Sequence, residues 1–102
     1  MQGESGFKAD LIKEIKGLFP GCVILKCGDI QGFPDILILY GDKWAALEVK
    51  RGAGASVRPN QEYYVAELGA MSYASFICPE NKGVVLDGLQ RAFVFKGAAR
   101  FS

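Results

Sequence analysis

Two β-prone runs, 33–40 and 43–51, are separated by the dipeptide Gly41-Asp42, and this arrangement constrains the chain more than anything else in it. Glycine in the first position of a two-residue loop suits a type II′ turn, whose twist matches that of the strands it joins. The spacing predicts an antiparallel hairpin in which Tyr40 pairs with Lys43. Its strands carry large residues on both faces, Ile36 and Ile38 against Leu37 and Leu39, the pattern of strands covered on both sides. Helices are therefore expected to flank the sheet.

The rest of the chain supplies them. From Glu4 to Phe19 the apolar residues Phe7, Leu11, Ile12, Ile15, Leu18 and Phe19 recur at helical spacing, and Gly21 follows Pro20 where the pattern stops. The apolar run Cys22 to Cys27 reads as a strand, followed by a turn-rich connection, 28–32. A glycine-rich basic loop, 51–56, leads to a second helix from Pro59 to Leu68, with proline in its first turn and Gly69 at its end. Tyr73 to Cys78 is another strand. Val84 to Phe93 reads as a helix with Val85, Leu89 and Phe93 in register, although Gly88 lowers its propensity. The residues from Lys96 onward carry no pattern. The order is α-β-β-β-α-β-α, an α/β domain with a mixed β-sheet and flanking helices.

With 102 residues, 50% of them hydrophobic and 23% charged, the chain fits a single domain, 1–102, without repeats or a linker. A core of this size leaves a thin stability margin that oligomerisation would widen. The three cysteines are odd in number, lack CxxC spacing and occur in a chain without histidine, which argues against a zinc site. Cys22, Cys27 and Cys78 lie in or beside apolar runs and read as small hydrophobes in a reducing compartment. No stretch has the length of a membrane span and the N-terminus lacks a signal-peptide pattern, so a soluble cytoplasmic protein is expected. A net charge of +1 gives no global attraction to phosphate, so nucleic-acid binding would need local clusters of Lys and Arg.

Counting outward from the hairpin turn places Asp35 directly opposite Glu48, with Lys50 two residues further along the same face. Carboxylates opposed across a ladder repel, and covering them adds a desolvation cost. A hard divalent cation would offset both, because Mg²⁺ is typically held by one or two carboxylates together with waters and phosphate oxygens. The Val49 carbonyl lies between the two and is a further candidate ligand. Lys50 cannot ligate a cation, but it can orient a water or stabilise charge developing on a phosphoryl group. The ordinary alternative is that Asp35 caps a turn after Pro34 while Glu48 and Lys50 form a plain ion pair. Helical stepping places Glu4 within about 20° of Leu11 and Ile15, so that it would face the sheet; otherwise it is a first-turn acid stabilised by the helix dipole. Glu14 falls at the margin of the stripe and reads as a solvated charge.

The run Gly32-Phe33-Pro34-Asp35, twelve intervening residues and then Glu48-Val49-Lys50 resembles the PD-(D/E)XK nuclease signature, and the stretch to Gln61 resembles its VRR-NUC branch. That branch occurs in phage proteins, restriction-type enzymes and a eukaryotic DNA-repair nuclease, and is similar in fold to archaeal Holliday-junction resolvases. The resemblance implies a restriction-endonuclease-like fold and an Mg²⁺-dependent endodeoxyribonuclease, with Mn²⁺ as a substitute. It implies that Asp35, Glu48 and the Val49 carbonyl bind metal, that Lys50 serves the nucleophilic water, that Glu4 is the helix acid of the site, and that Gln61 sits beside them. It also suits a homodimer that cuts branched DNA such as a four-way junction, and so short a nuclease suggests a phage or other mobile element in a bacterial host.

Arg51 and Arg58 flank the glycine-rich loop, and Lys8, Lys26 and Lys43 belong to neighbouring elements, so a basic rim around an acidic centre is expected. A solvated polar loop is the alternative. One of Tyr63 and Tyr64 is expected in the core, and the other is available to stack on a base. Two other functions fit the same residues: a non-catalytic DNA-binding or assembly module, and a restriction-type sequence-specific endonuclease.

Overall fold

The computed structural model describes residues 3–95. Helix α1 spans Glu4–Leu18, strand β1 Val23–Lys26, β2 Ile36–Tyr40, β3 Lys43–Val49, helix α2 Pro59–Met71, strand β4 Tyr73–Ile77 and helix α3 Lys82–Gln90, continued by a π-helical turn, Arg91–Phe95. The element order is the one expected, and the sheet is mixed. Its strands lie in the order β1-β2-β3-β4, antiparallel except for the parallel pair β3 and β4. A parallel pair needs a long connection, which α2 supplies.

The central hairpin has the expected register, from Tyr40 opposite Lys43 to Ile36 opposite Leu47. Gly41 has φ of 63°, and no non-glycine residue among those described has a positive φ, so Asp42 does not. That combination is the type II′ turn.

Alternation along the strands turns Ile36, Ile38, Ala45, Leu47, Val49 and Ile77 to one side of the sheet, where they form the core with α1 and α3. Helix α1 contributes Phe7, Leu11, Ile12 and Ile15, and α3 contributes Val85, Leu86 and Leu89. Phe19, Tyr40 and Phe93 close one end, with ring centroids 5.1 to 5.5 Å apart. Gly88 sits within α3 for a packing reason: a Cβ there would lie 2.6 Å from the Tyr73 hydroxyl, which donates a 3.1 Å hydrogen bond to the Val85 carbonyl.

The other side departs from expectation. Helix α2 lies over β3 and β4, the strands it connects, and buries none of its residues fully. The same side of β1 and β2 is left open, with Val23, Leu25 and Leu39 exposed. Large residues on both faces of β2 thus mark a sheet covered on one side and half covered on the other. Helix α2 also runs three residues beyond Leu68, so Gly69 lies inside it, against Ala74. No helix among the described residues is long and apolar enough to cross a membrane.

Candidate active site

β2 begins and β3 ends at the same edge of the molecule, and the N-termini of α1 and α2 converge there. Asp35 directly precedes β2. Its carbonyl accepts the Cys27 N–H at 2.7 Å, and its carboxylate accepts the Val49 N–H at 2.9 Å. The acid is therefore fixed by backbone bonds on both sides. Lys50 donates its own N–H to the Ile77 carbonyl at 2.8 Å, which extends the β3–β4 pairing by one residue.

Glu48 is only 4% exposed and, among the described residues, is the one charged residue in the otherwise apolar buried set. The Asp35 carboxyl acts directly on it, and its pKa is pushed up from 4.5 to about 7. Burial is the main cause, followed by the Asp35 charge; Lys50 opposes the rise, while the charge of Glu4 and the bond to Asp35 add to it. Two carboxyls that act on each other in this way must share a proton or a cation.

Gln61 joins the parts. Its amide N–H donates to Glu48 Oε2 at 3.0 Å, and its Oε1 accepts from Lys50 Nζ at 2.8 Å and from the Arg58 N–H at 3.0 Å. The last bond caps α2, since a glutamine at the third helical position can reach back to the residue preceding the helix. One side chain thus starts the helix and orients both members of the Glu48 and Lys50 pair. The Lys50 ammonium also donates to the Ser56 carbonyl at 3.0 Å and lies 3.9 Å from Glu48 Oε2. The structure therefore brings Asp35, Glu48, Lys50 and Gln61 together, with the Val49 backbone between the acids.

Glu4 is placed differently. It is exposed at the first residue of α1 instead of being covered by the sheet, because the buried stripe begins one turn later, at Phe7. It lines a cleft of about 310 Å³ with Lys50, Arg51 and Ser56, and its charge reaches Glu48 from there. Among the described residues no three His, Cys, Asp or Glu side chains are grouped to hold a metal ion. The hard oxygen donors at the centre of the site are the Asp35 and Glu48 carboxylates and the Val49 carbonyl, with Glu4 on the wall of the adjoining cleft.

Of the basic residues, Lys8 comes closest, with its ammonium 3.5 Å from Asp35 Oδ1. Sequence placed it in the rim; the structure places it against the acid itself. Arg51 is exposed on the cleft wall, Arg58 is exposed at the start of α2, and Lys26 is exposed at the same end of β1. Lys43 does not belong to this rim. It lies at the hairpin turn, at the opposite end of β3, paired with Asp42 at 2.8 Å. Glu14 pairs with Lys82 at 2.9 Å on the surface. Tyr64 is partly buried with its ring edge-on to Phe33, and Tyr63 is exposed. The three cysteines are free thiols.

Sequence reasoning missed a cavity of about 340 Å³ beyond Lys50, beneath the glycine-rich loop. The available signal was the run of small residues in 52–55, which leaves space where larger side chains would fill it. Compared with protein-family models, curated proteins and solved structures, the chain matches none.

Proposed function

We propose that this chain is a divalent-metal-dependent endodeoxyribonuclease of the PD-(D/E)XK type, VRR-NUC branch, that hydrolyses phosphodiester bonds in branched DNA. The observation that carries the reading is the buried Glu48 carboxyl held against Asp35, with the Lys50 ammonium 3.9 Å away. A purely structural ion pair has no use for a second acid beside the first; burial, and after it the Asp35 charge, push the Glu48 pKa up to about 7.

Asp35, Glu48 and the Val49 carbonyl are the hard oxygen donors that would hold Mg²⁺ or Mn²⁺. When bound, the cation supplies charge neutralisation at the phosphate and acidifies a water. Lys50, positioned by Gln61 and the Ser56 carbonyl, orients the attacking water and stabilises charge on the phosphoryl oxygens. Arg51, Arg58 and Lys26 provide backbone phosphate contacts from the rim. Lys8 neutralises Asp35 and is free to turn to phosphate once a cation takes that role. The exposed strip Val23, Leu25 and Leu39 supports a homodimer, which would set two sites against two strands. The cytoplasm of a phage host is the compartment this activity suits.

The test is incubation of the purified protein with junction, flap, fork and linear DNA, with and without Mg²⁺ or Mn²⁺. The expected result is metal-dependent cutting of branched substrates that is lost in Lys50→Ala. Metal-independent cutting, or cutting that survives Lys50→Ala, overturns the reading, and a single preferred site on linear DNA makes the enzyme restriction-type instead.

A non-catalytic DNA-binding module is the second reading, favoured by the absence of a third grouped acid among the described residues. Calorimetric titration separates the two. An enzyme takes up Mn²⁺ through Glu48 and loses that uptake in Glu48→Ala, whereas a binding module shows no uptake to lose.

A further inference from the structure

The cavity beneath the glycine-rich loop lies at the carboxyl ends of β3 and β4, the parallel pair of the sheet. Lys50, Ala53, Val57, Phe76, Cys78 and Glu80 are among its lining residues, and its volume of about 340 Å³ is at the small end of small-molecule sites. Lys50 and Ala55 line both this cavity and the cleft containing Glu4 and Arg51, so the loop forms a shared wall between them.

We propose that this cavity receives an unpaired nucleobase from the strand being cut, next to the phosphodiester held at Asp35 and Glu48. The inference rests on the nuclease reading above and names what the enzyme grips beside the scissile bond. A phosphate placed at Lys50 leaves the attached nucleotide one side chain away from the cavity. Phe76 offers a partly buried aromatic surface for stacking, with Val57 and Ala53 as apolar walls. Stacking on such a surface is available to every base.

Glu80 adds discrimination at the mouth. Its Oε1 accepts the Ala53 N–H at 3.2 Å, and bonds from its own backbone N–H and from Cys78 hold its pKa below the usual carboxylate value. A carboxylate only accepts hydrogen bonds, so it complements the amino groups of cytosine, adenine and guanine. Thymine has no amino group and turns carbonyl oxygens toward the acid on either side of its ring N–H. A base inside a duplex is stacked and paired, and extracting it costs a few kcal/mol; a base at a junction, flap or frayed end costs least. The cavity thus selects DNA with an unpaired nucleotide beside the cut.

The experiment uses the full chain and a flap or junction whose cleavage position has been mapped. The nucleotide flanking the scissile bond is made cytosine, thymine or abasic. Wild type is expected to cut the abasic substrate about 5- to 150-fold more slowly than the cytosine one, with thymine between. Ala53→Trp fills the cavity and is expected to cut all three at one rate. Glu80→Gln is expected to lose the preference for cytosine over thymine while still favouring a base over none. Titration of wild type with deoxycytidine monophosphate, followed by NMR, is expected to shift the amides of Gly52, Ala53 and Phe76, and this readout needs neither metal nor turnover. Equal cutting of base-containing and abasic substrates by wild type overturns the proposal and leaves the nuclease reading intact. Failure to cut any DNA with Mg²⁺ or Mn²⁺ removes that reading and this inference with it.

Discussion

Replacing Glu48 by glutamine separates the cost of its charge from the shape of its side chain. In the folded protein the Glu48 pKa is pushed up from 4.5 to about 7, chiefly by burial and by Asp35. Between those values the folded state keeps a proton that the unfolded state releases, so the Glu48 contribution to stability is greatest below about pH 4.5 and declines as pH rises to about 7. At about 1.4 kcal/mol per pH unit, the full decline is on the order of 3 kcal/mol. For a domain of this length that corresponds to roughly 12–24 °C in Tm. Glu48→Gln has no charge to lose and keeps an acceptor and donors for Gln61 and Asp35. Its Tm is expected to exceed that of wild type by most of this amount at about pH 8 in the presence of a chelator, and the gap is expected to close toward about pH 5. Saturating Mg²⁺ is expected to raise the wild-type melt at about pH 8, by about 2.7 kcal/mol at a hundredfold excess over Kd, and to leave Glu48→Gln unmoved. Thermal melts of both proteins across this range, with chelator and with Mg²⁺, provide the measurement. Parallel pH profiles would refute the buried charge, and equal Mg²⁺ effects on the two proteins would refute its role as a metal donor.

Five other substitutions test the surroundings. Lys50→Ala is expected to lower single-turnover cleavage by about 100- to 1,000-fold while leaving the fold intact, and Lys50→Arg is expected not to rescue it, because a guanidinium fork does not fit the space an ammonium fills between Gln61 and the Ser56 carbonyl. Gln61→Ala removes the acceptor for the Arg58 N–H and the link between Glu48 and Lys50; denaturant titration is expected to show a loss of about 1 kcal/mol from the cap, together with reduced cleavage. Gly32→Ala is expected to cost more than about 1 kcal/mol, because Gly32 has φ of 84° and a Cβ there would lie 2.5 Å from the Asn60 side chain, whereas Gly28→Ala meets nothing and should be nearly neutral in the same titration.

The parts of this site that were legible in the sequence are those that can be counted from a turn. Once Gly41-Asp42 is read as a two-residue loop, strand pairing leaves one register, and Asp35, Glu48 and Lys50 follow at fixed positions. A slip of one residue would turn the whole apolar set of β2 to the wrong side, so the register is energetically pinned as well as numerically defined. Residues supplied by helices carry no such constraint. Periodicity gives the direction of Glu4 around the axis of α1, but not where along the helix burial begins, and it begins at Phe7, one turn after Glu4. The same uncertainty, in the opposite sense, concealed the pairing of Lys8 with Asp35, which its long stem reaches from the margin of the buried stripe. Coverage of the sheet was overestimated for a related reason: large residues on both faces of β2 show what a strand can bury, whereas the short α2 crossover determines what is buried. The cavity at Phe76 is hardest to read, since small loop residues create it by what they do not fill. The chemistry of the site is thus encoded locally by the hairpin, and its access, rim and substrate grip depend on how two helices and a glycine-rich loop meet the end of that hairpin.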